Sequence, residues 1–307
     1  MSIAYMQQSD QFIANRVYPV LPVDKRSDLF RIYQKDDWFR DEAEKRGPAT
    51  ESAGGGYDIT QDSYFCDVYA FHKDIDDQTR DNSDADINLD RDATEFVTQR
   101  MLLKREKVWV TQNFQPGVWG TTVTGVASGP GAGQVLRWDD ANSDPRANMK
   151  AARRAILSVT GYKPNTLVLH YDAMDALADH PDFVERIKYT STDSIDEAML
   201  ARIFKVDRVL VAGAIENSAK EGNVADFDFI YGKHAWLGYV APRPSLMAPS
   251  AGYTFSWKHA PLSNDQSVQI KRFRMEPIAS ERIEGEIAFD DKIVGTDLGY
   301  FFEDIVS

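Results

Sequence analysis

Residues 88–114 read NLDRDATEFVTQRMLLKREKVWVTQNF, and the reading of this stretch decides the fold. Asn88 or Asp90 can cap a helix, and Asp90 and Asp92 suit the positive end of its dipole. Phe96, Leu103 and Val110 recur every seven residues, and Ala93, Val97 and Met101 every four. Together they predict one continuous apolar stripe on a helix over 90–114. Such a helix would be about 37 Å long at 1.5 Å per residue, longer than is usual in a globular domain. Pro116-Gly117 stops it.

Toward the N-terminus, Asp74 to Asp92 is a run of acids and turn formers. Ser63–His72, with Tyr64, Phe65, Val68, Tyr69 and Phe71, reads as a strand, as does Leu29–Tyr33. Between them lies a polar excursion holding Lys45-Arg46-Gly47-Pro48 and Gly54-Gly55-Gly56. A connection of that length is a disordered loop or a functional arm, and as a two-stranded arm it would need a partner. From Ile13 to Asp28 the apolar Val17, Tyr18, Val20, Leu21 and Val23 are broken by Pro19 and Pro22. The prolines exclude a helix and a central strand there, so the segment must lie across another surface, its own chain's or a neighbour's.

Toward the C-terminus, Gly117–Val135 is glycine-rich, and loops with short strands are expected. Asp144-Pro145 starts a second helix whose predicted buried face is Ala151, Ala152, Ala155, Ile156 and Val159, with Gly161 as its stop. A strand over Thr166–His170 follows, then short helices over 172–179 and 181–188. A capping box at Ser194–Glu197 opens a helix to about Phe204, and Asp207–Gly213 is a buried strand. Residues 141–245 thus read as a compact α/β region. Beyond Pro242, Pro244 and Pro249 the pattern turns to strands at 252–258, 267–276 and 283–289, and an apolar end at 299–306.

The chain has 307 residues, 43% of them hydrophobic and 27% charged, which suits a folded protein with a real core. A formal net charge of −13 argues against a nucleic-acid clamp, which needs clustered Lys and Arg. Cys66 is the single cysteine, so no internal disulfide forms, and the five scattered histidines lack metal-ligand spacing. No run of 18 apolar residues suggests a membrane helix, and the first residues do not read as a secretory signal.

Several patterns invite a chemical reading. Asp84, Asp86, Asn88, Asp90, Asp92 and Glu95 have the acid spacing of a calcium loop, but Leu89 stands where that loop needs glycine. Gly125–Gly133 lacks the Gly-Lys-Ser/Thr ending of a phosphate cradle and reads as a flexible loop. Ser128 lacks a nucleophile elbow, and Cys66, within an aromatic strand, reads as a small core residue. His170 ends a strand beside Asp172, which reads as a helix cap. No catalytic, cofactor-binding or metal-binding residue is therefore assigned.

The succession of parts carries more than any motif. A proline-broken arm, a strand, a polar excursion, a strand, an acidic turn, one long helix, an α/β region and terminal strands follow one another. With phrases such as Ile13-Ala-Asn-Arg-Val-Tyr-Pro-Val and Tyr162-Lys-Pro-Asn-Thr-Leu-Val-Leu, this order resembles the HK97-like major capsid proteins of tailed phages. The resemblance spans nearly the whole chain. It implies an α+β fold with an N-terminal arm (1–28), an E-loop hairpin (29–74), a P-domain (75–140) holding the spine helix (90–114), an A-domain (141–245) and a return to P-domain strands (246–307). It further implies a structural protein, not an enzyme, that assembles as pentamers and hexamers into an icosahedral head around double-stranded DNA. The implied place is the virion capsid, assembled in the host cytoplasm, without a membrane. The implied partners are the chain itself, a portal, decoration proteins, DNA touched non-specifically and a separate scaffold protein, since the arm begins almost at Met1. Some members cross-link neighbours through Lys, and Lys35 and Lys45 lie in the corresponding region, though as ordinary surface lysines. The alternatives are an encapsulin-type nanocompartment shell, an oligomeric soluble α/β enzyme and another virion component.

Overall fold

The computed structural model describes residues 6–83, 88–187, 195–244, 248–262 and 268–307, with the side chains of 186 and 187 left out. In chain order the elements are α1 (Ala14–Val17), β1 (Val20–Val23), β2 (Ser27–Tyr33), α2 (Lys35–Trp38), β3 (Ile59–Phe65), β4 (Asp67–Asp76), α3 (Asp77–Asp81) and α4 (Leu89–Asn113). Then come β5 (Thr121–Val126), β6 (Gln134–Leu136), α5 (Pro145–Thr160), β7 (Thr166–His170), α6 (Tyr171–Asp179), α7 (Pro181–Ile187) and α8 (Glu197–Phe204). The remainder is β8 (Arg208–Ala212), β9 (Ile215–Asn217), β10 (Phe227–Phe229), β11 (Ala235–Gly238), β12 (Gly252–Trp257), β13 (Gln269–Met275), β14 (Ser280–Ile293) and β15 (Gly299–Glu303).

The long helix forms where its pattern predicts. Asn88 is its cap, its side chain accepting from the Arg91 N–H, and the helix runs 25 residues. It is shared between two sheets. Its first half packs Val97 and Met101 onto Ile287 and Phe289 of the first sheet, ordered β1-β12-β14-β13 with β4 on the other flank of β14. The approach is close: a Cβ on Gly285 would stand 2.6 Å from Val97 Cγ1, so glycine is required there. Its second half packs Trp109, Val110 and Phe114 onto the second sheet, ordered β6-β5-β15-β11-β7-β8. The alternation of strands decides which core each side chain joins. Val168, Trp236 and Phe301 face α4, whereas Leu167, Leu169, Leu237 and Phe302 face α5 and α8 on the opposite side.

The structure amends the sequence reading at several points. Phe96 is 41% exposed, while Arg105 and Glu106 lie in the buried stripe. Asp90 is not the cap but pairs with Arg80 and Arg272. Ser63–His72 is not one strand: β3 ends at Phe65, β4 begins at Asp67, and Cys66 turns the chain from one sheet into another. On α5 the buried residues are Pro145, Met149, Ala152, Ile156 and Thr160, and Ala151 and Val159 face outward. The 3.6-residue period carries 152, 156 and 160 on one line, and 151 and 159 flank it. Gly161, at φ 74°, ends that helix as expected. Asp196 caps α8 through the Met199 N–H, and Ser194 of the expected capping box lies outside the described residues. Strands β5, β6 and β15, expected outside the α/β region, pair into its sheet, with β15 inserted between β5 and β11. Neither pairing is local in sequence, so no pattern within 141–245 could announce it.

Candidate assembly surfaces

The N-terminal segment is built into the body of its own chain. Phe12, Ile13, Ala14, Val17 and Tyr18 are each at most 2% exposed, against Trp109, Phe114, Trp236 and their neighbours. β1 then adds to β12 as a parallel edge strand, with Pro22 exposed at the margin, the one sheet position that tolerates its missing N–H. Polar side chains of α4 fasten the segment along its length. Gln99 Nε2 donates to the Gln7 carbonyl at 2.9 Å, and Arg105 Nε to Asn15 Oδ1 at 2.8 Å. Glu106 Oε1 accepts from the Ala14 N–H at 2.7 Å, and Asn113 Oδ1 from the Tyr18 hydroxyl at 3.3 Å. Gln7 also exchanges two hydrogen bonds with the Ile215 backbone. Arg105 completes a buried ion pair with Asp291, whose other partner is the Thr254 hydroxyl at 2.6 Å.

The hairpin of β2 and β3 is a two-stranded sheet of its own. Its base is anchored, where Tyr64 stacks on Phe255 at 4.5 Å and Asp290 Oδ2 accepts from the Phe65 N–H at 2.9 Å, and farther out Lys35 of α2 pairs with Asp297. Toward the tip, Tyr33, Trp38 and Tyr57 gather around one another with centroids about 6 Å apart. Leu29, Trp38, Phe39 and Tyr57 nevertheless remain 52–62% exposed. Asp36, Asp37, Asp41, Glu42 and Glu44 make the same tip acidic.

A belt of ion pairs closes the far end of the first sheet. Arg80 and Arg272 each bridge Asp90 and Glu281, Arg274 holds Asp77 at 2.5 Å, and Arg282 holds Asp74 at 2.8 Å. These arginine hydrogen bonds keep the Asp74, Asp77 and Asp90 carboxyls below the usual range. Between β4 and α4 runs an open groove of about 320 Å³ with Phe71, Arg100, Lys104 and Lys107 among its walls. Lys104 stands over the Tyr69 ring and Arg100 over Phe96, each at 5.2 Å.

The residues weighed for chemistry are not brought together. Cys66 is fully buried, its Sγ 3.6 Å from the Phe255 carbonyl, and burial pushes its thiol up to about 11. His170, not Asp172, caps α6: its Nδ1 accepts from the Asp172 N–H at 3.2 Å. Burial holds its imidazole below the ordinary value, and the ring packs edge-on against Phe229. Ser128 is exposed in the β5–β6 loop, and Gly125 of the glycine run belongs to β5 itself. Asp84 and Asp86 lie outside the described residues; Asn88 is spent on capping and Glu95 on Arg91. Lys35 pairs with Asp297, and Lys45 is exposed. Among the described residues no three His, Cys, Asp or Glu side chains converge as a metal site, and no helix is long and apolar enough to cross a membrane. The sequence reading missed the buried Arg105–Asp291 and Glu106–Tyr231 pairs. A signal for them exists: Arg105 and Glu106 fall one turn after Met101 and Leu102, in phase with the buried stripe.

No protein-family model matches the chain. It is 25% identical to the major capsid protein of Burkholderia phage BcepMu, over 96% of this chain and 92% of that protein. Its fold is similar to that of a phage-related protein from Bordetella bronchiseptica, at a TM-score of 0.70 and 24% identity, covering 97% of this chain and 94% of the other. The capsid structure of cyanophage P-SCSP1u matches 99% of this chain and 90% of its own at a TM-score of 0.61 and 10% identity. The encapsulin of Synechococcus elongatus matches all of this chain and 94% of its own at 0.56 and 10%. The architecture is thus the HK97-like one.

Proposed function

We infer that this chain, an HK97-like protein, is the shell-forming major capsid protein of a phage, with a structural and not an enzymatic role. The observation that carries the reading is the 25% identity to a phage major capsid protein over 96% of the chain, on a fold shared with phage capsids. A physical argument supports it. A two-stranded hairpin is marginal alone, and one with four half-exposed apolar side chains, three of them toward its tip, gains further burial from another molecule. Copies of one chain supply such burial repeatedly, which is what a closed shell does.

In this reading the β2–β3 hairpin is the E-loop, the first sheet with α4 is the P-domain and its spine, and the second sheet with α5–α8 is the A-domain. The subunits assemble as pentamers and hexamers around double-stranded DNA, in the host cytoplasm, with portal, scaffold and decoration proteins as partners. The encapsulin likeness favours one second reading, a cellular nanocompartment shell.

The test is electron microscopy and size-exclusion chromatography of the purified chain, alone and co-expressed with its neighbouring genes. Round shells or rings of five or six subunits are expected. Monomers or dimers under every condition would overturn the reading, and shells that take up enzyme cargo and no DNA would favour the nanocompartment.

A further inference from the structure

Glu106 is 2% exposed in the middle of α4. Both carboxyl oxygens are engaged: Oε1 accepts from the Ala14 N–H, and Oε2 is bonded to the Tyr231 hydroxyl. Among the described residues, none of the charged and titratable groups around it is an ion-pair partner for it. Arg105, the adjacent cation, is committed to Asp291 of β14 and Asn15 of α1. Tyr18 binds Asn113, and Arg16 is exposed. His234 packs on Phe114 from the far side, its imidazole held low by burial. A buried carboxylate lacking a paired cation favours its neutral form.

We propose that Glu106 is a proton-controlled fastening for the N-terminal segment, holding residues 7–18 on α4 most firmly when its carboxyl is protonated and loosening them when it ionises. The hydrogen bonds allow both states. Protonated, Glu106 donates through Oε2 to the Tyr231 oxygen while Oε1 still accepts from Ala14. Ionised, it accepts from both, but as a desolvated charge. Detaching residues 7–18 opens the carboxylate to water, so the ionised state favours detachment. Burial raises this carboxyl from 4.5 to about 7. The sign follows from linkage. The fastening is complete below the ordinary carboxylate value and is lost as pH rises through about 7. The proposal concerns the single chain and holds or fails independently of the shell-forming reading.

Hydrogen exchange of the full-length chain, corrected for intrinsic rates, tests it. Protection of the peptide covering residues 7–18 should fall by about 50- to 100-fold between roughly pH 5 and pH 8, as the separation of bound and free carboxyl values requires. A β7 peptide in the other core should not follow. Glu106→Gln keeps both hydrogen bonds without a charge and should flatten the profile. Tyr231→Phe removes a donor to the ionised form and should move the midpoint upward. A segment whose protection is independent of pH, or falls only in step with β7, overturns the proposal, as does an undiminished slope in Glu106→Gln.

Discussion

The N-terminal segment and the β2–β3 hairpin leave the body of the molecule on opposite terms. Phe12, Ile13, Val17 and Tyr18 are at most 2% exposed, whereas Leu29, Trp38, Phe39 and Tyr57 are more than half exposed. Both segments are apolar and neither could fold alone. What separates them is the supply of polar partners. At Gln7, Ala14, Asn15 and Tyr18 the N-terminal segment meets a hydrogen-bonding side chain of α4, from Gln99 to Asn113, which fixes its register on its own chain. The hairpin tip meets mainly itself, through Tyr33, Trp38 and Tyr57 and the Arg40 pairs with Asp37 and Glu42, and reaches the body through the partly exposed Lys35–Asp297 pair. One segment completes the subunit; the other keeps its apolar side chains half exposed.

The comparison breaks most visibly at Arg105. Its guanidinium is 1% exposed and joins Asn15 of the N-terminal segment to Asp291 of the first sheet. Arg105→Ala strands a buried carboxylate and should cost about 3–5 kcal/mol of subunit stability, read by denaturant unfolding. Replacing both partners, Arg105→Met with Asp291→Leu, should recover most of that loss, because no unpaired charge remains. A double variant as unstable as the single one would mean that packing, not charge, holds the segment.

Ile13→Ala comes next. Ile13 is 1% exposed among Trp109 and its neighbours, so the cavity should cost about 2–5 kcal/mol, at the lower end if the terminal segment can settle into the space. A cost below about 0.5 kcal/mol would show that the segment is not seated on its own chain in solution.

The same two regions divide what the sequence makes legible from what it does not. Local chemistry is legible: Asn88 as a cap, Asp144-Pro145 opening α5 and Gly161 closing it each follow from two or three adjacent residues. The order of parts also carries the fold class. The destination of Ile13–Val23 is not legible, because prolines state only that a segment is extended, and its partner β12 is more than 200 residues away. The insertion of β15 between β5 and β11 is hidden for the same reason. The two-stranded arm is legible, and β2 pairs with β3, but its exposed aromatics are not, because Trp38, Phe39 and Tyr57 lie in a stretch whose composition reads as polar. The buried charges of α4 escape because Arg and Glu are ordinary on a helix surface, and only the geometry of two sheets meeting one helix encloses them.

The smallest effect on the subunit should come from the hairpin tip, and it sharpens the comparison most. Trp38 is 52% and Tyr57 58% exposed, and each packs mainly on the other and on Tyr33. The double variant Trp38→Ala, Tyr57→Ala removes no core contact, so unfolding of the isolated subunit should shift by no more than about 0.5 kcal/mol. The same variant should abolish or strongly reduce shells seen by electron microscopy, because aromatic side chains waiting half-exposed are those that anchor an interface. A variant that loses stability and keeps its shells would invert the comparison, making the hairpin part of the subunit and not of the assembly. One that keeps both would leave the acidic tip without a role in joining subunits and direct the search for contacts to the groove of Arg100, Lys104 and Lys107.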